Sequence, residues 1–173
     1  MSAADSQPLP RFLDRVVIDP TRPRAPVLDL DALDRAAVAW MERHGTTCLR
    51  VSLALVFGWF GALKLVGLSP ADGLVQRTVS WWDPAWFIPF LGAWECLIGV
   101  CFLVPRANRL ALVLMATQMA GTFLPFIVLP AETYTRSILV PTIEGQYIIK
   151  NVVLIAAAIA VGSRVRDDGP RRT

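Results

Sequence analysis

The stretch Gly92-Ala93-Trp94-Glu95-Cys96-Leu97-Ile98-Gly99 lies in the middle of an apolar run from Ala85 to Val104. Glu95 is the only charged residue of that run. A helix crosses the hydrocarbon core of a bilayer when it has about 20 apolar residues. A carboxylate halfway along such a helix is costly, so it needs a partner or a function. The stretch therefore predicts a membrane-spanning helix with a polar centre.

The protein has only two lysines, Lys64 and Lys150, and both lie inside other apolar runs. The remaining basic residues are all arginines, which keep their charge in almost any setting, whereas a lysine can lose its proton when it is buried. Lysine is therefore the exception in this chain. We expect Lys64 and Lys150 to be the partners of Glu95.

The composition also indicates a membrane protein. Of the 173 residues, 54% are hydrophobic and 18% are charged, against about 25% charged residues in ordinary soluble domains. The net charge of +3 is small. No basic stripe with interleaved aromatic residues is present, so nucleic-acid binding is not expected.

Four apolar runs predict an all-α, polytopic bundle of four transmembrane helices, which makes the lipid bilayer its first partner. The predicted spans are residues 48–68, 85–104, 110–129 and 143–162. Four spans place both termini at the same end of the predicted bundle. Most of the arginines that flank the spans lie at that end. By the positive-inside rule, both termini are cytoplasmic and the two long loops lie outside. We expect a multi-pass protein of the bacterial plasma membrane.

The regions around the spans differ in character. Residues 1–28 form a proline-rich extension that we expect to be flexible. Residues 29–45 predict an amphipathic helix that lies in the membrane interface and ends at Gly45. Residues 46–163 form the transmembrane domain, and residues 164–173 form a basic cytoplasmic tail.

Polar residues inside the spans define a candidate ligand-binding or structural cluster: Lys64, Glu95, Gln118, Tyr147, Lys150 and Asn151. Glycines at helical spacing predict faces for close helix packing at Gly58, Gly61, Gly92 and Gly99. Pro125 should bend the third span and leave the Gly121 carbonyl without its usual donor.

Three interpretations of the polar cluster are open. Its members can satisfy one another and set helix register, because pairing lowers the cost of a charge within the membrane. They can form a site open to the outside, where the two lysines attract an anionic or carbonyl-bearing ligand such as a quinone head. Glu95 can also belong to a proton or ion path.

Catalytic and metal-binding patterns are missing from the sequence. The single histidine, His44, leaves no Ser-His or Cys-His pair near a carboxylate to propose. The three cysteines are Cys48, Cys96 and Cys101, and they form no Cys-x-x-Cys motif. We therefore predict no metal site, no catalytic residue and no catalysis by this chain alone.

Three motifs resemble the DoxX-like integral membrane proteins, and most closely an uncharacterised branch near the YkgB-type proteins. They are LRVSLALVFGWFGALK at residues 49–64, WECLIG at 94–99 and EGQYIIKN at 144–151. The resemblance covers residues 43–162. It implies a four-helix membrane bundle and an association with redox physiology, since some DoxX relatives are subunits of thiosulfate:quinone oxidoreductases and others associate with oxidative-stress proteins.

On this basis we expect an accessory or quinone-interacting membrane subunit, with an oxidoreductase as partner subunit and a quinone as the one cofactor to consider. The chain can also form an oligomer. One alternative is a small membrane transporter that uses Glu95 as its carrier site. Another is a membrane scaffold that recruits a cytoplasmic partner through the amphipathic helix.

Overall fold

The computed structural model describes residues 29–164. The predicted extension at residues 1–28 and residues 165–173 of the predicted basic tail lie outside these described residues. Within the described residues the secondary structure is helical, apart from an isolated bridge between Tyr134 and Pro141. The helices are α1 (Leu30–Leu65), α2 (Asp72–Thr78), α3 (Pro84–Leu103), α4 (Asn108–Thr122), α5 (Pro125–Val128), α6 (Pro130–Thr133), α7 (Ile143–Ile149) and α8 (Asn151–Ser163).

Four helical segments of the described chain are long and apolar enough to cross a membrane: Leu30–Leu65, Pro84–Leu103, Pro105–Val128 and Ile143–Ser163. The third combines a 3₁₀ turn with α4 and α5, and the fourth combines α7 with α8. The prediction of an all-α fold with four membrane-spanning helices is confirmed. The protein is a multi-pass membrane protein.

The buried core draws side chains from α1, α3, α4 and α8. Phe102 and Ile98 of α3 are fully buried, and Leu53 of α1 and Val161 of α8 are nearly so. Many other large apolar side chains are exposed, as expected for helices whose outer faces meet lipid instead of water. The core therefore lies between the spans, and the polar centre described below adjoins it.

The predicted break at Gly45 is wrong. Helix α1 runs without interruption for 36 residues, from Leu30 to Leu65. A glycine inside a helix costs only about 1 kcal/mol relative to alanine, so one glycine without a following proline need not end a helix. Asp29 begins the helix by accepting from the Ala32 amide at 3.0 Å.

The chain divides into two compact units at Ala36 and Ala37, inside α1. In the first unit, the described residues contain an exposed ion pair between Arg35 and Asp29 at 3.9 Å. Every other helix belongs to the second unit. The apolar stripe predicted for the amphipathic helix is exposed along its length, and its position in the membrane interface stays a prediction.

A Schellman motif ends α1 just beyond Lys64, which lies in the last turn of the helix. Gly67 has φ 70°, the left-handed conformation that glycine adopts at no steric cost. The Leu68 amide donates to the Leu63 carbonyl at 2.9 Å, and the Gly67 amide donates to the Lys64 carbonyl at 3.3 Å. Lys64 therefore occupies the C-terminal turn, where the helix dipole favours a positive charge.

Both ends of α3 are capped by side chains. At its start, Asp83 accepts from the Ala85 amide at 2.9 Å, and Pro84 takes the first helical position. At its end, the Arg50 guanidinium donates to the carbonyls of Phe102 and Leu103, both at 3.0 Å. Carbonyls of a last helical turn lack intrahelical donors, so this arginine of α1 satisfies α3 and joins the two spans.

The third and fourth spans are interrupted at polar or proline positions. Pro125 follows a two-residue break between α4 and α5, and it has no amide to donate to the Gly121 carbonyl. The Leu124 amide donates to that carbonyl instead, at 3.1 Å. Lys150 separates α7 from α8. The Asn151 side chain donates to the carbonyls of Tyr147 at 3.2 Å and Ile148 at 3.0 Å, competing with the backbone amides for these acceptors.

The two long connections, residues 66–83 and 129–142, lie at one end of the second unit, called here the loop end. A bidentate ion pair joins them: the Arg77 Nε donates to the Glu132 Oε1 at 2.9 Å, and the Arg77 Nη2 lies 2.8 Å from the Glu132 Oε2. Thr142 donates to the Glu132 carbonyl at 2.6 Å and caps α7 by accepting from the Gly145 amide at 3.1 Å. These bonds hold both connections over the spans.

Candidate functional site

A buried ion pair lies between the first and second spans. The Lys64 ammonium donates to the Glu95 Oε2 at 2.7 Å, and each residue is only 7% exposed. The charge in the last turn of α1 therefore meets the charge at the middle of α3. Pairing lowers the cost of holding each charge away from water, whereas removal of one partner would leave the other uncompensated.

Gln118 of the third span completes the polar centre. Its Nε2 donates to the Glu95 Oε1 at 3.0 Å, so each carboxylate oxygen accepts one hydrogen bond from a different helix. Gln118 is half-buried, with Met119 and Met115 of α4 buried beside it in the core. Lys64, Glu95 and Gln118, called here the polar centre, thus join three of the four spans.

Close packing of α1 on α3 places this pair. A Cβ atom added at Gly61 would lie 2.6 Å from the Gly92 carbonyl oxygen and 2.7 Å from the Cys96 amide nitrogen. One added at Gly92 would lie 2.9 Å from the Lys64 Cβ. These separations are shorter than any that real side chains tolerate, so only glycine permits the approach that brings the lysine to the carboxylate.

The two remaining glycines of the predicted packing face play different parts. A Cβ atom at Gly99 would lie 2.9 Å from the Ala54 carbonyl oxygen and 2.9 Å from the Gly58 amide nitrogen. A Cβ atom at Gly58 would meet no atom within 4 Å. The Gly58 backbone therefore packs against Gly99, whereas a side chain at position 58 would extend into open space.

The structure does not bring the other half of the predicted cluster to Glu95. Lys150 and Tyr147 are exposed, and the Lys150 ammonium lies 4.6 Å from the centre of the Tyr147 ring as a cation–π contact. Asn151 donates to backbone carbonyls of its own span. In residues 29–164 no hydrogen bond or ion pair joins any of these three side chains to the polar centre.

The single predicted cluster is therefore corrected to two groups: Lys64, Glu95 and Gln118 between the spans, and Tyr147, Lys150 and Asn151 at the α7–α8 junction. The physical reason is the turn at Lys150. This turn interrupts the helical hydrogen-bond pattern between α7 and α8. The Asn151 side-chain amide donates to carbonyls of α7 and not to a neighbouring helix. An asparagine beside a lysine in a membrane span was a weak signal of this local break.

Unused hydrogen-bond donors remain at the polar centre. An ammonium group has three N–H bonds and a carboxamide has two. Lys64 and Gln118 each direct one of these to Glu95, and their side chains make no other hydrogen bond within the described part of the chain. The remaining N–H groups of these two side chains have no acceptor among the described residues.

Asp72, in the first turn of α2, is a residue that the sequence analysis missed. Its Oδ1 is buried, and no hydrogen-bond partner for it occurs among the described residues. It lies at the loop end, in the connection that follows the Lys64-bearing turn of α1. The sequence analysis did not single out Asp72 because it lies in a loop, outside every apolar run. The signal was an acid at the start of a short helix directly after the lysine-bearing span.

No group of three or more His, Cys, Asp or Glu side chains capable of holding a metal ion occurs within residues 29–164.

Comparisons with protein-family models, with curated proteins and with solved structures found no match to this chain. The chemistry of the polar centre therefore has to be argued from its own geometry.

Proposed function

We propose that this chain is a DoxX-like accessory membrane subunit of a redox system, and that its polar centre binds the head of a quinone. The observation that carries the proposal is the pair of unused donor groups on Lys64 and Gln118. A quinone carbonyl oxygen is an acceptor that these N–H groups would satisfy. The ring and tail of the quinone are apolar, so the molecule reaches the polar centre from the bilayer.

Glu95 has a positioning part in this proposal. By accepting one hydrogen bond from each donor residue, it holds both donors in one place inside the membrane. Asp72 complements them, because its unpaired Oδ1 suits the hydroxyl group that a quinone gains on reduction. The electrons come from a partner oxidoreductase subunit, and the chain itself contributes binding and not catalysis.

The proposal includes a location and an assembly. The chain lies in a bacterial plasma membrane with both termini in the cytoplasm, since arginines such as Arg43, Arg106 and Arg164 flank the end opposite the long loops. The loop end, where Lys64 lies in the last turn of α1, then faces outward. The DoxX-like motifs at residues 49–64, 94–99 and 144–151 support the redox association as a resemblance.

Quinone binding tests this function. The purified chain in lipid nanodiscs should bind a short-chain ubiquinone analogue saturably, measured by quenching of tryptophan fluorescence. Gln118→Leu should weaken binding about tenfold, because it removes one donor worth roughly 1.4 kcal/mol.

The matched control for Gln118→Leu is Thr117→Ala. Thr117 is exposed on the same helix and donates only to the Val113 carbonyl of that helix, so its loss should leave the affinity unchanged. No saturable binding by the unmodified chain would refute the function. Equal affinity for folded Gln118→Leu and Thr117→Ala would remove the polar centre as its site.

A second carboxylate in the described chain, Asp72, whose Oδ1 is buried and has no hydrogen-bond partner there, favours a carrier as the second candidate. A carrier would take up protons or a cation through Asp72 and Glu95 from the loop end. Proton uptake by proteoliposomes separates the two candidates. Flux that depends on Glu95, in protein that binds no quinone, would establish the carrier.

A further inference from the structure

The connection between α6 and α7 forms a tight hairpin with an apolar tip. Its three apolar residues Ile138, Leu139 and Val140 are 77%, 84% and 51% exposed. They are consecutive, so they form one continuous patch and not scattered surface residues. Large exposed apolar patches mark contacts with membranes or partners. The polar centre makes no use of this patch.

The hairpin pairs part of its own backbone. The Thr135 amide donates to the Val140 carbonyl at 2.9 Å, and the Val140 amide donates to the Ser137 carbonyl at 2.9 Å. The Ser137 hydroxyl oxygen accepts from the Leu139 amide at 3.3 Å. Irregular backbone is excluded from lipid because its polar groups would lose their water. At this tip those amides already have partners, which lowers the cost of entering an apolar phase.

The tip is also tethered at the depth of the membrane boundary. Ile143, the first residue of the fourth span, follows Val140 by three residues, which reach at most about 10 Å when fully extended. The apolar tip and the apolar span are therefore neighbours in space. The side chains of Trp81, Trp82 and Trp86 are exposed in and just after the other connection, and tryptophan is typical of a membrane interface.

The charges nearest the tip along the chain are Arg136 before it and Glu144 after it, in the first turn of α7. Arg136 is the only charged residue between Thr133 and Ile143, and it is exposed. The nearest preceding acid, Glu132, is neutralised by Arg77. An arginine next to an apolar tip can bind a lipid phosphate while the apolar side chains enter the acyl region.

We propose that residues 138–140 insert into the lipid leaflet that surrounds the loop end, with Arg136 at the headgroups. The hairpin then anchors α6 and the start of α7 to the membrane surface. Through the Arg77–Glu132 ion pair, the same anchor holds α2. This inference concerns the surface of the bundle and does not depend on the proposed quinone site.

A fluorescence experiment tests the insertion. The variant Leu139→Cys, in a background with Cys48, Cys96 and Cys101 replaced by alanine, is labelled with the environment-sensitive dye NBD. It is placed in nanodiscs of phosphatidylcholine and phosphatidylglycerol at one copy per disc. We expect a blue-shifted emission, quenching by lipids with a doxyl group high on the acyl chain, and loss of quenching by aqueous iodide.

The matched control is Gln76→Cys, an exposed polar position on α2 at the same end of the bundle. Its dye should be quenched by iodide and not by doxyl lipid. Iodide quenching at position 139 equal to that at position 76 would overturn the proposal. Shielding from both quenchers would also overturn it, since it would show that protein covers the tip.

A second measurement uses the unmodified chain, in case the cysteine-free background does not fold. Phospholipid with a photoreactive diazirine on its acyl chain is activated in the same nanodiscs, and tryptic peptides are analysed by mass spectrometry. Cleavage after Arg136 and Lys150 isolates the tip. Lipid adducts on residues 138–140 are expected. Adducts on residues 143–149 alone would contradict the insertion.

Discussion

Lys64→Met should lower the unfolding free energy by about 3–5 kcal/mol, which is the loss expected when one partner of a buried ion pair is removed. The substitution keeps an unbranched apolar stem but leaves the Glu95 carboxylate buried, with Gln118 as its remaining donor. Unfolding of the purified chain in mixed micelles, titrated with SDS and followed by circular dichroism, measures the change.

The other lysine provides the control. Lys150→Met removes the same charge from an exposed residue whose contact is the Tyr147 ring, so a loss of about 0.5–1 kcal/mol is expected. The double variant Lys64→Met/Glu95→Leu should recover most of the stability, because replacing both partners of a buried pair by apolar residues is often neutral. Equal losses for the two single lysine variants would show that Lys64 is not held as a buried charge.

Gly61→Ala should have the second largest effect. The new methyl group would lie 2.6 Å from the Gly92 carbonyl oxygen and 2.7 Å from the Cys96 amide nitrogen, and backbone atoms cannot yield as a side chain can. The helices α1 and α3 would have to separate, at a cost of about 1–3 kcal/mol for an overpacked core. SDS titration followed by circular dichroism measures the stability.

Gly58→Ala is the matched substitution on the same helix. Its methyl group would meet no atom within 4 Å, and alanine is the better helix former. We expect unchanged stability or a gain of up to about 1 kcal/mol. If both glycine variants lost stability equally, helix propensity or lipid contact, and not the approach of α1 to α3, would explain the glycines.

The spans were predictable because a membrane helix is a local property. Twenty apolar residues cross the bilayer whatever else they contact, and α3, Pro84–Leu103, lies within one residue of its predicted range at both ends. The end of α1 was less certain, since a glycine ends a helix only when its backbone adopts a left-handed turn. Gly67 adopts the left-handed conformation and Gly45 does not, and the residue type alone does not distinguish these two glycines.

The polar centre was predictable only in part. A charge inside an apolar run predicts that a partner exists, which correctly drew attention to Lys64 and Gln118 near Glu95. It does not say which of two lysines is the partner. Lys150 also lies in a span, but the turn at its position leaves it exposed beside Tyr147.

By itself, the sequence determined the class of protein, the number of spans and the residues whose burial demands compensation, because hydrophobicity and charge are carried by each residue alone. Only the tertiary structure decided that Glu95 pairs with Lys64 and Gln118, and that Gly61 and Gly92 bring the pair together. Those outcomes depend on how one helix rotates and approaches another. The distances that govern them are set by packing between segments far apart in the chain.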